Sequence, residues 1–209
     1  MAIRVGIVDC SISNLASVLH AFRHIGAETT VTRDPDELNT FTHLVLPGVG
    51  SFAKGMENLR ATGFVVPLHD WASAGKPLLG LCLGMQLLAE EGEEFGPNGG
   101  LGLIRGRVVK MKPADPALRL PHVGWNEVAQ SGASRLLVGL GGSPTFYFVH
   151  SYCYGEPGAD YVTGTCEYGG PQVALVEHGN VFGAQFHPEK SQKAGLTLLA
   201  NFISIAAGA

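Results

Sequence analysis

Three things are scarce in this chain, and each scarcity narrows its role. It has no run approaching the roughly 20 consecutive apolar residues that a membrane-spanning helix needs, so no such span is expected. It has no surplus of basic residues. Fourteen Lys and Arg against eighteen Asp and Glu give a net charge of -4, which supplies no basic face for nucleic acid or an anionic membrane. Cysteine is sparse. Cys10, Cys82, Cys153 and Cys166 form no CxxC pair and have no His partners at zinc-finger spacing, so neither a disulfide framework nor structural zinc is expected and a reducing cytoplasm is the default compartment. Internal repeats, low-complexity tracts and interdomain linkers are absent as well. The N-terminal apolar run is of strand length and is followed by no small-residue cleavage site, so it reads as a strand and not a signal peptide.

What is present suits one compact domain spanning residues 1–209: 45% hydrophobic and 15% charged residues, enough chain to bury a substantial core. The first half alternates short apolar runs with helical spacing. Strands are expected at Ile3–Asp9, Glu28–Thr32, His43–Leu46 and Pro77–Leu81. Helices are expected at Asn14–Ile25, Phe52–Ala61 and Val65–Ala74, with a helical turn at Pro35–Leu38 and a helix over Gly84–Glu91. Single helices between strands imply parallel pairing with helices on both faces of the sheet. Sites in such a sheet lie beyond the carboxyl ends of the strands, which puts Asp9–Asn14, Gly48–Ser51 and Cys82 on one rim. The second half is β-rich. Short strands are expected at Arg107–Lys112, His122–Val128, Thr145–Tyr152, Tyr161–Glu167, Val173–Glu177 and Val181–Phe186, then a closing helix over Ser191–Ile205 with Ser191 as its N-cap. The fold class is therefore α/β, a mostly parallel central sheet with a smaller β-rich portion.

Gly80-Leu81-Cys82-Leu83-Gly84 is the strongest local signal. A small residue two before and two after a nucleophile permits a sharp strand-to-helix turn that thrusts the side chain out at the strand end. The helix that follows directs its N-terminal N–H groups toward the sulfur, which favours thiolate, and the Leu83 N–H is placed to donate to an oxyanion. The plainer reading is a buried structural Cys. A thiol nucleophile also needs a base, and the base an orienting partner. Gln185-Phe186-His187-Pro188-Glu189 follows an apolar run, so His187 should reach the same rim, and Glu189 can hold its far ring nitrogen. Pro47-Gly48-Val49-Gly50 follows the third strand; its glycines permit conformations that would aim an N–H of Val49 or Gly50 at the site, although an ordinary tight turn has the same composition. Gln86, one helical turn past Cys82, and His150, at the end of a strand, are further candidates. His20 and His24 share a helix face without a Glu between them, and read as surface.

The motifs Pro-Gly-Val-Gly-Ser-Phe (47–52), Gly-Leu-Cys-Leu-Gly-Met-Gln (80–86) and Gln-Phe-His-Pro-Glu-Lys-Ser (185–191) resemble class I glutamine amidotransferases, whose fold is flavodoxin-like. Leu120–Asn126 (Leu-Pro-His-Val-Gly-Trp-Asn) and Phe148–Tyr152 (Phe-Val-His-Ser-Tyr) narrow the likeness to the glutaminase subunits of imidazole glycerol phosphate synthase. The resemblance runs from Ile3 to Phe202. It implies a Cys82–His187–Glu189 triad, a glutamyl thioester, and release of ammonia from L-glutamine. It further implies substrate contacts from Gly50, Gln86, Ser151 and Tyr152, no metal or organic cofactor, and a (β/α)8-barrel cyclase partner in a heterodimer, with Asn14, Pro121, Tyr147 and Lys190 near the docking surface. Family members carry a Gly-containing turn after the first strand, where this chain has Asp9-Cys10-Ser11-Ile12-Ser13-Asn14. An amidotransferase serving another synthase, a γ-glutamyl peptidase and a non-catalytic module on the same scaffold are the competing readings; an intact Cys/His/Glu set weighs against the last.

Overall fold

The computed structural model describes residues 2–10 and 15–206. Strand β1 (Arg4–Val8) leads to α1 (Leu15–His24), β2 (Glu28–Thr32), a 3-10 turn (Pro35–Thr40), β3 (His43–Gly48), α2 (Phe52–Ala61), α3 (Val65–Ser73), β4 (Leu78–Cys82) and α4 (Leu83–Leu87). Then come β5 (Glu91–Gly92), β6 (Asn98–Gly99), β7 (Arg107–Lys110), β8 (His122–Glu127), β9 (Ala129–Gln130), β10 (Thr145–His150) and β11 (Tyr152–Tyr154). The chain closes with β12 (Val162–Glu167), β13 (Pro171–His178), β14 (Val181–Ala184) and α5 (Gln192–Ile203). Among the described residues no helix is long and apolar enough to cross a membrane.

The main sheet has the order β2-β1-β3-β4-β14-β13-β12-β9. Pairing is parallel from β2 through β14 and antiparallel beyond it. The change of sense falls at the β13–β14 hairpin, where Gly179 takes φ +56 in a two-residue connection to Val181. Alternation along the parallel strands splits the core in two. Leu44, Leu46 and Leu78 face the layer of α2, α3 and α4, with Phe52, Met56, Leu59, Leu68 and Trp71. Val5, Ile7, Val45, Leu79 and Leu81 face α1 and α5, with Phe22, Leu198 and Phe202. Helices thus cover both faces, as the α/β alternation predicts. The β-rich part adds a two-stranded ribbon, β10-β8, and a small sheet, β11-β7-β5-β6.

Three sequence expectations need correction. The helix after Cys82 stops at Leu87 and does not reach Glu91. The carbonyls of Leu87, Leu88 and Ala89 are taken by the N–H groups of Leu101, Leu103 and Gly102, and a Cβ on Gly100 would lie 2.1 Å from the Ala89 oxygen, so the returning chain displaces the next helical turn. The strand expected over Thr145–Tyr152 breaks at Ser151, because β10 pairs with β8 while β11 pairs with β7. Ser191 stands at the N-cap position but does not cap α5; its hydroxyl is engaged elsewhere, as described below. Ser11 to Asn14, including the Gly-poor turn and the interface candidate Asn14, lie outside the described residues.

Candidate active site

Cys82 is the last residue of β4 and sits beside Gly48 of β3. Its backbone has φ +53 and ψ -110, a conformation that costs a non-glycine residue energy and that marks functional turns. The flanking glycines make the turn sterically possible. A Cβ on Gly84 would lie 1.7 Å from the Leu46 oxygen, and one on Gly80 2.6 Å from the Gly84 oxygen, so α4 packs directly on the backbone of β3. Two expectations change here. The sulfur enters a roofed cleft and not open solvent: Cys82 is 7% exposed, with Sγ 3.8 Å from the Val149 oxygen. With only five residues, α4 also offers a weaker dipole than a full helix would.

His187 follows β14 and is tied to the β10–β8 ribbon. Its N–H donates to the Tyr147 carbonyl at 2.9 Å. The Ser191 hydroxyl donates to the His187 carbonyl at 2.6 Å and accepts the Tyr147 N–H at 3.0 Å. A 3-10 turn from Pro188 to Lys190 brings Glu189 back, so that His187 Nδ1 lies 2.8 Å from Glu189 Oε1. A carboxylate accepts, so Nδ1 carries the proton and Nε2 is left for the sulfur. Burial alone would lower the His187 pKa, but hydrogen bonding and charge from Cys82 and Glu189 outweigh it and raise it to about 9.

The structure brings together nearly all the sequence candidates. A cleft of about 350 Å³ is lined by Cys82 and His187, by Val49, Gly50 and Leu83, and by Gln86, Ser151 and Tyr152. Gly50 has φ +108. Gln86 Nε2 donates to the Tyr152 carbonyl at 2.8 Å. Of the interface candidates, Pro121 and Lys190 stand at the edge of the same cleft, and Tyr147 lies under the Lys190 ammonium, 5.9 Å from its ring centroid.

Other sequence candidates fall away from the chemistry. Cys10 is fully buried, and burial pushes its thiol up to about 11, which leaves it as core. His20 and His24 are exposed on α1, and no metal-like cluster of His, Cys, Asp or Glu occurs among the described residues.

Sequence reasoning missed four neighbours. Among the described residues Glu94 is the one carboxylate on the cleft wall; it accepts the Phe52 N–H at the start of α2 at 2.8 Å and comes from the β5–β6 turn, whose approach only the fold reveals. Gln185 is fully buried and directs Nε2 at Cys82 Sγ over 3.9 Å; its place beside the His-Pro-Glu motif was a usable signal. Ser191 was misread as a cap. Trp125, 49% exposed, joins Val123, Tyr147 and Val149 on the outer face of the ribbon, where period-two alternation in β8 and β10 could have placed it.

A strained cysteine turn and a buried His–carboxylate pair share one cleft, an arrangement equipped for thiol chemistry. The chain matches the family model "Glutamine amidotransferase class-I" over residues 6–206, and it belongs to that family of enzymes. It is 47% identical over 198 residues to the imidazole glycerol phosphate synthase subunit HisH of Desulfitobacterium hafniense (strain DSM 10664 / DCB-2), covering 95% of this chain and 92% of the relative. It is 43% identical to the protein of the same name from Moorella thermoacetica, covering 95% and 93%. The structure of PurLQS from Thermotoga maritima superimposes with a TM-score of 0.76 at 19% identity, over 98% of this chain and 99% of that one; this likeness speaks to the fold alone.

Proposed function

We propose that the whole chain acts as one glutaminase domain that feeds ammonia to a cyclase of (β/α)8-barrel type, the two forming a heterodimer that makes imidazole glycerol phosphate and an aminoimidazole ribotide in histidine biosynthesis. The observation that carries the chemistry is the His187 Nδ1–Glu189 contact at 2.8 Å beside a sulfur on a strained elbow, in one cleft. The names and near-full coverage of the relatives support the pathway.

In this reading L-glutamine enters with its side-chain amide over Cys82. Gly50, Gln86, Ser151 and Tyr152 line its place, and the Glu94 carboxylate suits its α-ammonium. The Cys82 thiolate attacks the amide carbon, and the negative charge that develops on oxygen is met by N–H groups of Leu83 and of Val49 or Gly50. The imidazolium of His187 protonates the leaving nitrogen as the C–N bond breaks, giving ammonia and a glutamyl thioester. Water, giving a proton to His187, then displaces the sulfur and yields glutamate. Glu189 holds the imidazole and compensates its charge. Thiol chemistry of this kind needs no metal or organic cofactor. The partner docks over the rim that carries Pro121, Tyr147 and Lys190, where Val123, Trp125 and Val149 leave an exposed apolar stripe. The complex is a lyase-type synthase of the cytoplasm.

The test is glutamate release from glutamine by the purified chain, alone and with a histidine-pathway cyclase plus its nucleotide substrate, with Cys82→Ala as the blank. Cys82-dependent release that rises with the partner is expected. Release that depends on Cys82 but ignores this partner would keep the chemistry and move the protein to another synthase.

A further inference from the structure

A buried chain of polar side chains runs behind the cleft wall, and the mechanism above leaves its outer half without a task. On β8, Asn126 Nδ2 lies 3.4 Å from His122 Nε2. His122 Nδ1 lies 3.2 Å from His150 Nε2, and His150 Nδ1 lies 3.0 Å from the carbonyl oxygen of Tyr152. Both rings are buried, at 3% and 6% exposure. The His122 ring stacks on Phe148 and on Tyr168, at centroid distances of 4.8 and 4.1 Å.

The donors and acceptors admit one proton arrangement. A carbonyl only accepts, so His150 Nδ1 carries the hydrogen and its Nε2 is a bare lone pair. That lone pair must accept from His122 Nδ1–H, which leaves His122 Nε2 to accept from the Asn126 amide. The orientation of that amide is fixed separately: Nδ2 donates to the Glu167 carbonyl and Oδ1 accepts the Glu127 N–H, both at 2.8 Å. Each ring is thus neutral and an Nδ1–H tautomer. Burial agrees, holding both imidazoles at a pKa of about 4.

The chain ends on the Tyr152 carbonyl, which also accepts Gln86 Nε2 at 2.8 Å. The second hydrogen of Gln86 Nε2 goes to Gln185 Oε1 at 3.1 Å, and Gln185 points on to Cys82 Sγ. Ser151 is where the backbone leaves β10 for β11; its carbonyl accepts the Met111 N–H at 2.9 Å, and Tyr152 pairs in register with Lys110. The Tyr152 carbonyl, on the cleft side, is met by side chains, His150 Nδ1 and Gln86 Nε2.

We infer that His122 and His150 are positioning residues for glutamine hydrolysis: locked as Nδ1–H tautomers, they hold the Tyr152 carbonyl and with it the Ser151–Tyr152 backbone against which the substrate lies. The inference rests on glutamine occupying this cleft. His122 does not line the cleft, so its effect passes through His150.

Two measurements test it. Long-range 1H–15N correlation spectra of histidine-labelled protein at neutral pH should show the proton on Nδ1 and a bare Nε2 for both rings. In glutamine hydrolysis, His122→Phe keeps a ring for the stack but removes the donor, and should raise KM about tenfold, the worth of roughly one hydrogen bond. His122→Asn returns an N–H close to the Nδ1 position and should restore KM to within about threefold. Alkylation of Cys82 by iodoacetamide should proceed in both variants, which reports an intact elbow. A proton on Nε2 of either ring overturns the inference. So do wild-type kinetics in His122→Phe, and so does an equal loss in the Phe and Asn variants, which would be a structural defect. If the wild-type chain hydrolyses no glutamine with or without a partner, the reading of the cleft itself fails and takes this inference with it; wild-type turnover with unaffected variants sinks the inference alone.

Discussion

The two walls of the cleft are built to different standards of rigidity. Cys82, Gly48 and the turn at Val49–Gly50 sit on the ends of β3 and β4, strands with hydrogen-bonded neighbours on both edges and helices on both faces. The opposite wall runs from Val149 and His150, on a ribbon whose two strands, among the described residues, pair only with each other, to Tyr152 at the start of β11, on the edge of the small four-stranded sheet. The inner face of that ribbon is buried through Phe146, Phe148, His122 and His150, and its outer face presents Val123, Trp125, Tyr147 and Val149. The difference suits the two jobs proposed for these walls. Bond-making groups need fixed positions, which a doubly covered parallel sheet supplies. A surface that meets a partner needs apolar area left uncovered. The walls are still coupled, because Tyr147 on the ribbon is bonded through its N–H and carbonyl to Ser191 and His187.

Removing the sulfur from the rigid wall is the most severe way to break this comparison. Cys82→Ala should lower glutamine-dependent synthesis by the complex by about four orders of magnitude or more. Synthesis driven by added ammonium salts should persist, because the proposed acceptor site is on the partner; loss of both would mean that the ribbon wall or the docking had failed too. Next in size is Glu189→Gln, expected to cost less than His187→Ala because in the proposed mechanism Glu189 orients the base and does not transfer a proton. Its second signature is in pH. With His187 raised to about 9, the alkaline limb of kcat/KM should fall near pH 9, reported as a property of the coupled Cys82–His187 pair. Glu189→Gln should move that limb to lower pH, since one of the groups that raise His187 is then neutral. An unmoved limb would assign the limb to another group.

The strands of both walls were largely legible in the amino-acid sequence, and the long-range closures around them were not; the reasons are physical. β1, β3 and β4 are continuous apolar runs because they are buried on both faces, and Gly80 and Gly84, flanking Cys82, announce the turn through the absence of side chains where backbones touch. The pairing of His187 with Glu189 is a two-residue relation that local geometry settles. Long-range closures leave no such local mark. Nothing near Leu88 reveals that the carbonyls of Leu87 to Ala89 will be claimed by residues 101–103, so the helical spacing runs on past the point where the helix ends. Ser191 has the composition of a cap, but its hydroxyl is drawn to His187 and Tyr147 by a strand 44 residues away in sequence. Glu94 reaches the cleft on a turn between two-residue strands, too short to give a periodic signal.

The ribbon can be probed on its outer face without touching the chemistry. Trp125→Ala should weaken binding of the cyclase by about 2 kcal/mol, the scale of an aromatic anchor at an interface centre. The unfolding midpoint of the isolated chain should stay nearly fixed, because Trp125 is half exposed and packs edge-on against Tyr147 at 5.9 Å. Unchanged affinity, measured by titration calorimetry, would move the docking surface off this stripe. A large drop in the midpoint would mean that the ribbon's outer face stabilises the fold itself.

The finest discrimination between the walls lies in how acid and alkali act on their histidines. His122 and His150 have folded pKa values of about 4, lowered chiefly by burial, against about 6.5 in the unfolded chain. Above pH 6.5 both states are neutral at these rings, so they contribute their full share of stability. As pH falls from about 6.5 toward 4 the unfolded chain takes up protons that the folded ribbon refuses, and stability is lost. His187 behaves in the opposite sense. Its folded pKa of about 9 gives a contribution that is complete below about pH 6.5 and lost as pH rises through 9. Acid should therefore weaken the ribbon, and alkali the triad wall. Urea midpoints measured at pH 7.5 and 5.5 should show a loss on the order of 1 kcal/mol for each ribbon imidazole. His122→Phe, which has no ring to protonate at that position, should lose less over the same interval. Parallel losses in the two proteins would mean that His122 titrates as an ordinary surface histidine, and the neutral, tautomer-locked chain behind the cleft would have to be abandoned.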